Sequence, residues 1–127
     1  MVTWKGLGQH IRQIPSLRSA YPHPLVEINP ATATELGIGE GDMVSIEAPG
    51  FKWGVRAKAK FLPGLHPQTV SMLPHWWFPE KEAPEHGCFE SNINSIISYG
   101  APYDPFTGAH QSRAIPCRIR REHNPLP

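Results

Sequence analysis

One stretch limits what this chain can become more than any other: residues 24–48, PLVEINPATATELGIGEGDMVSIEA. It reads as strand, short helix, glycine turn, strand. Leu25, Val26 and Ile28 make a short apolar strand. Asn29 follows as a helix N-cap, its side-chain oxygen accepting from a free backbone N–H of the first turn. Pro30 then sits where a missing N–H costs nothing. Ala31, Ala33 and Leu36 recur at helical spacing, and Gly37 is a natural C-cap. Gly39, Gly41 and Asp42 form a tight turn, and Met43 to Ile46 resume β-character. Every local preference agrees with its neighbours, the mark of a real folding unit.

The rest of the chain supports a loop-rich β domain. At 127 residues it is long enough for one core. Its 15 prolines and 11 glycines disfavour long helices. Four Trp, three Tyr and five Phe argue against disorder. A formal charge of +1 gives no electrostatic case for a nucleic-acid partner. No apolar run reaches membrane-spanning length, and MVTWKGLGQHIRQI lacks the apolar core of a signal peptide.

Residues 1–23 read as an irregular arm or interdomain segment, residues 24–121 as the domain proper, and 122–127 as a loose tail. In the first segment Arg12 and Arg18 have two readings. Solvated surface arginines are the commoner outcome; contact with an anion is the sharper one, since guanidinium pairs bidentately with phosphate. Phe51 to Lys60 alternates apolar with basic residues, the pattern of a strand that forms a hairpin with Met43–Ala48. Thr69–Leu73 and Ile115–Arg120 read as further strands, and Ser91–Ile97 as a short helix. The glycines of GIGEGD follow a helix and open a strand, the reverse of a dinucleotide fingerprint, so the turn is structural.

His75-Trp76-Trp77-Phe78-Pro79-Glu80 sets three aromatics between polar groups. Two adjacent tryptophans cannot both face one core from a strand, so one is expected at a surface, cleft or interface. The competing reading is a local aromatic plug at one end of the barrel. Ser91, Asn92 and Asn94 either cap the short helix or present donor–acceptor pairs to a heterocycle.

No catalytic set emerges. The seven histidines show no HxH or HExxH pair, and no serine sits in a nucleophile elbow. Cys88 and Cys117 read as reduced thiols rather than a metal site or a disulfide. The clustered polar groups (His75, Glu80, Ser91, Asn92, Asn94, Asp104) suit holding a ligand better than transforming one.

EINPATATELGIGEGDMVSIEAPGF resembles the hallmark stretch of the C-terminal molybdopterin-dinucleotide-binding domain, which closes the large subunit of dimethyl sulfoxide reductase family enzymes. FLPGLHPQTV, HWWFPE, SNIN, DPFTG and PCRIRR follow in the family's order, and HIRQIPSLR resembles the segment before its first strand. The resemblance covers roughly residues 10 to 120. It implies a mainly β fold, a six-stranded double-psi β-barrel with short helices. It implies a bis-molybdopterin guanine dinucleotide cofactor carrying molybdenum or tungsten, with the metal ligated by other domains. It places His75, Trp76 and Trp77 beside a pterin and pyrophosphate, Ser91, Asn92 and Asn94 against the pterin, and Arg12 where the preceding segment approaches the cofactor. WWFPE followed by SNIN leans toward the thiosulfate and polysulfide reductase branch or its acetylene hydratase cousin.

Family enzymes are several times longer than this chain. The expected partners are therefore the remaining domains of a parent catalytic subunit, with an iron–sulfur electron-transfer subunit beyond them. Alone, the chain is expected not to turn over substrate. Trp76-Trp77 is the expected part of the surface that meets the other domains. Two other organisations stay open: a free-standing small subunit, as in formylmethanofuran dehydrogenases, and a non-enzymatic double-psi interaction module.

Overall fold

A computed structural model describes residues 11–111 and 113–122. The expected arm over residues 1–10 and the expected tail over 123–127 lie outside them. The described chain is mainly β with few short helices. Its strands are β1 (Leu25–Ile28), β2 (Met43–Glu47), β3 (Gly54–Phe61), β4 (Val70–Met72) and β5 (Arg118–Arg121). They form one curled sheet in the order β4-β1-β3-β2-β5. The helices are α1 (Pro15–Arg18), α2 (Pro30–Glu35) and α3 (Cys88–Ser91), with 3₁₀ turns at Ile11–Gln13 and Ile93–Ile96.

The unit that opens the sequence folds as its residues dictate. The Asn29 side chain accepts from the Ala31 N–H at 2.9 Å, and Pro30 opens α2. Gly37 takes φ +67°, which frees two amides to close the helix. The Gly37 N–H donates to the Thr34 carbonyl and that of Ile38 to the Ala33 carbonyl, a Schellman ending. Its apolar partners, Ala33 and Ile38, are both buried. The Asp42 carboxylate then accepts from the Gly39 N–H at 2.7 Å and fixes the turn into β2.

β2 and β3 pair antiparallel, with Val44 opposite Ala57 and Ile46 opposite Val55. β1 adds to the far side of β3 in parallel, Val26 opposite Ala59. Alternation sends Val26, Ile28, Val44, Ile46, Val55, Ala57 and Ala59 into one core, completed by Ala33, Ile38 and Ile96. Arg56, Lys58 and Lys60 take the other face.

Several expectations are corrected. β3 starts at Gly54, not Phe51. Phe51 and Trp53 instead make an edge-to-face pair in the preceding loop, rings 5.7 Å apart, and Trp53 is half exposed. β3 can begin there because a Cβ on Gly54 would fall 2.6 Å from Ser45 Oγ and 2.8 Å from the Ile46 carbonyl. Ser91–Ile97 is not one helix. Asn92 is extended (φ −89°, ψ 109°) because its side chain takes the Asn94 N–H, so the chain breaks into α3 and a 3₁₀ turn. The closing strand starts at Arg118, after Pro116 removes a ladder donor. The mainly β expectation holds, with five strands in the sheet among the described residues. The long segments between β4 and β5 carry Pro74, Pro79, Pro84, Pro102 and Pro105, each unable to donate to a ladder.

Candidate functional site

After β4 the chain turns at His75, a non-glycine residue at φ +61°. Such a conformation persists only where neighbours fix it. Here the neighbour is Asn92, whose Oδ1 accepts from the His75 N–H at 3.2 Å and from the Asn94 N–H at 3.1 Å. Asn94 closes the arrangement: its Nδ2 lies 3.0 Å from His75 Nδ1. An amide nitrogen only donates, so His75 Nδ1 is the acceptor of this contact. Ser95 Oγ donates to the Asn92 carbonyl at 2.8 Å and fixes the same turn from behind. Three residues read separately from the sequence thus form one cluster. Of the two readings, capping is what the geometry shows for Asn92, whose side chain accepts from the Asn94 N–H.

Arg12 sits behind this cluster and is 4% exposed, so the expectation of a solvated arginine does not hold. Its Nε donates to the Trp77 carbonyl at 2.6 Å and its Nη1 to the Tyr21 carbonyl at 3.0 Å. Its guanidinium lies 3.8 Å from the centre of the Trp76 ring. Burial pulls its pKa below the ordinary range, Glu80 opposes that shift, and Arg18 adds to it. Arg18 in turn donates to the Arg12 carbonyl at 3.3 Å and lies 3.8 Å from Glu80. Residues 12–21 and 75–80 are therefore one structural unit.

The tryptophans divide as adjacency requires, but not as expected for an interface. Trp76 is buried at 5% exposure between Arg12 and Phe78, and Trp77 stacks edge-on against His86 at 5.4 Å. The pair is thus not a shared outer surface; Trp76 belongs to a local aromatic cluster with Phe78. Two donors here, Arg12 Nη2 and Trp76 Nε1, are buried with no acceptor among the described residues. A buried donor without a partner costs about 1–3 kcal/mol, so the locus is short of acceptors.

Ser91 is buried and faces elsewhere. It lines a cavity of about 750 Å³ between the sheet and the segment carrying Phe78 and Lys81. Sequence reasoning missed this cavity. The basic residues of β3 that line it are Arg56 and Lys58. Arg56 is forked onto the Glu122 carboxylate, which raises its pKa, and Arg121 Nε lies 2.8 Å from Asp42. The only signal was the position of Glu122 just past a basic strand.

Among the described residues no group of three or more His, Cys, Asp or Glu is placed to hold a metal ion, and both cysteines are free thiols. No described helix is long and apolar enough to cross a membrane. The arrangement offers hydrogen bonds from neutral side chains, backed by a buried cation.

Residues 4–116 match the family model described as the Molydopterin dinucleotide binding domain. The chain is 36% identical over 124 residues to a dopamine dehydroxylase of Eggerthella lenta, covering 91% of this chain and 12% of that protein. An uncharacterized oxidoreductase from a strain of the same species matches to the same extent. Among solved structures, acetylene hydratase from Pelobacter acetylenicus shares the fold, with a TM-score of 0.79 at 23% identity over 87% of this chain and 16% of that one. The chain spans about an eighth of the curated relatives it matches.

Proposed function

Because the chain belongs to the molybdopterin dinucleotide-binding domain family of molybdenum oxidoreductases, we propose that His75, Asn92 and Asn94 form the surface on which it holds that cofactor. The observation that carries this reading is their convergence on one hydrogen-bonded cluster around a left-handed His75. The residues fit the group. Two amides and an imidazole offer the mixed donors and acceptors of a pterin edge. Arg12 Nη2 and Trp76 Nε1 are donors in want of acceptors, and Arg12 places a positive charge behind a site for a pyrophosphate. When bound, the group supplies the redox-active metal. This chain's residues bind and orient it: His75 and Asn94 by hydrogen bonds, Trp76 and Trp77 by shaping the loop, and Arg12 by anchoring that loop.

In finer detail, the reading includes a guanine nucleotide tail, and a sixth strand that completes a double-psi barrel with the five described. The chain acts as one domain of a larger molybdenum or tungsten oxidoreductase, inactive alone. WWFPE followed by SNIN supports the thiosulfate and polysulfide reductase branch. The length of the relatives favours the domain reading over a free-standing subunit.

The test uses the full-length subunit that carries this domain. His75→Ala and Asn94→Ala each remove one side of a 3.0 Å contact. Each is expected to lower metal and guanine-nucleotide content together, with affinity falling about five- to hundredfold, the equivalent of 1–3 kcal/mol. Unchanged content in both variants, with the protein folded, would overturn the assignment.

A further inference from the structure

Residues 98–109 are all exposed, yet they are not loosely held. The Asp104 carboxylate accepts from the Phe106 N–H at 3.0 Å, the Thr107 N–H at 2.7 Å and the Thr107 hydroxyl at 2.9 Å. The Asp104 N–H donates to the Ala109 carbonyl at 2.8 Å, and Gly108 returns to the Asp104 carbonyl at 2.9 Å. Tyr103 bridges to His110, whose ring meets Tyr99 at 4.7 Å. This preorganised arm carries three aromatics into solvent: Phe106 at 94% exposure, Tyr99 at 74% and Tyr103 at 59%. At about 150–250 Å² per ring, these exposures leave roughly 340–570 Å² uncovered. That matches the largest apolar patch of an ordinary monomer and approaches a within-chain domain interface.

We infer that this arm is the knob by which the domain seats on the rest of its parent polypeptide, with Phe106 entering an apolar pocket there. The inference rests on reading the chain as one domain of a larger enzyme. What points to this occupant is the proportion of the relatives: the matched region is 12% of the dopamine dehydroxylase, so most of that polypeptide is available to cover it. The chemistry agrees. The arm offers rigid aromatic rings at little entropic cost on docking, the profile of an interface anchor. Trp76, the aromatic first expected in this role, is already buried within the domain.

Hydroxyl-radical footprinting of the wild-type full-length subunit tests this, with and without its cofactor, against the same protein unfolded in guanidinium. Phe106, Tyr99 and Tyr103 are expected to be oxidised about tenfold more slowly in both folded states, as for side chains in a packed interface. Oxidation of Phe106 at the unfolded rate would overturn the inference. Protection seen only with cofactor present would also overturn it, because the arm would then face the cofactor. Metal content of His75→Ala and Asn94→Ala, measured beside the footprint, separates this from the proposed function: lost content with a protected arm supports both, unchanged content with a protected arm counts against the site alone, and lost content with an unprotected arm counts against the arm alone.

Discussion

Asn94 Nδ2 lies 3.0 Å from His75 Nδ1, across 19 positions of the chain. Neither residue holds this geometry alone. Both backbone amides are tied to the one Oδ1 of Asn92, so the shape of the polar surface depends on a single acceptor atom.

A prediction separates the acceptor role of Asn92 from its amide. Asn92→Asp retains an oxygen for both N–H groups, whereas Asn92→Ala retains none. The alanine variant is expected to lose about 1–3 kcal/mol by urea denaturation, and the aspartate variant under about 1 kcal/mol. Equal losses in the two would mean that the shared oxygen is not what fixes His75.

Arg12 should behave as a buried anchor. Arg12→Ala removes two hydrogen bonds and the contact with Trp76, a loss of about 2–4 kcal/mol. Arg12→Lys should recover little of it, because an ammonium cannot serve Trp77 and Tyr21 in the same fork geometry. Thermal denaturation checks both, and a lysine variant as stable as the parent would refute the fork.

The two glycines Gly54 and Gly64 should differ sharply. A Cβ at Gly54 meets the Ile46 carbonyl at 2.8 Å, whereas nothing lies within 4 Å of one at Gly64. Gly54→Ala is expected to cost about 1–3 kcal/mol through forced backbone shifts at the β2–β3 edge. Gly64→Ala should be neutral or slightly stabilising by restricting the unfolded chain. Denaturation midpoints of the two variants, measured side by side, decide it.

Acid should loosen the exposed arm through Asp104. Its carboxyl is held below the ordinary 3.8, first by the Thr107 N–H, then by the Thr107 hydroxyl and the Phe106 N–H. A depressed folded-state pKa means the stabilisation is present above the ordinary carboxylate value and is lost as pH falls through the lower, folded one. Amide resonances of Phe106 and Thr107 should therefore titrate below 3.8 in the parent protein and stay flat in Asp104→Asn. A titration that survives the substitution would place the responsible group elsewhere.

What the sequence made legible was local. Asn29 as a cap, Gly37 as a helix stop, Asp42 in its turn and the alternation of Val55, Ala57 and Ala59 each depend on neighbours within a few positions, and each is found as read. His75, Asn92 and Asn94 were legible as candidates, but their contact joins segments that no periodicity links. For Arg12 only the solvated reading falls: its hydrogen bond to Trp77 spans 65 positions, and nothing near Arg12 announces burial. The break at Asn92 was hidden because one side-chain bond outweighed a weak helical preference. Phe106 was legible only as part of DPFTG, because exposure of an apolar ring follows from packing, not from pattern.

The pairing of β5 with β2 has a consequence in time. Arg120 meets Glu47 across 73 positions, so the outer edge of β2 acquires its partner only after Arg118–Arg121 has been made. At about 5–20 residues per second on a ribosome, the β2–β3 hairpin waits several seconds with Val44 and Ile46 on an open strand. An open edge of that kind invites pairing with another chain. Nascent chains stalled or truncated before Arg118 should therefore be the sticky ones, and Arg118–Arg121 is where a release from that hazard is written.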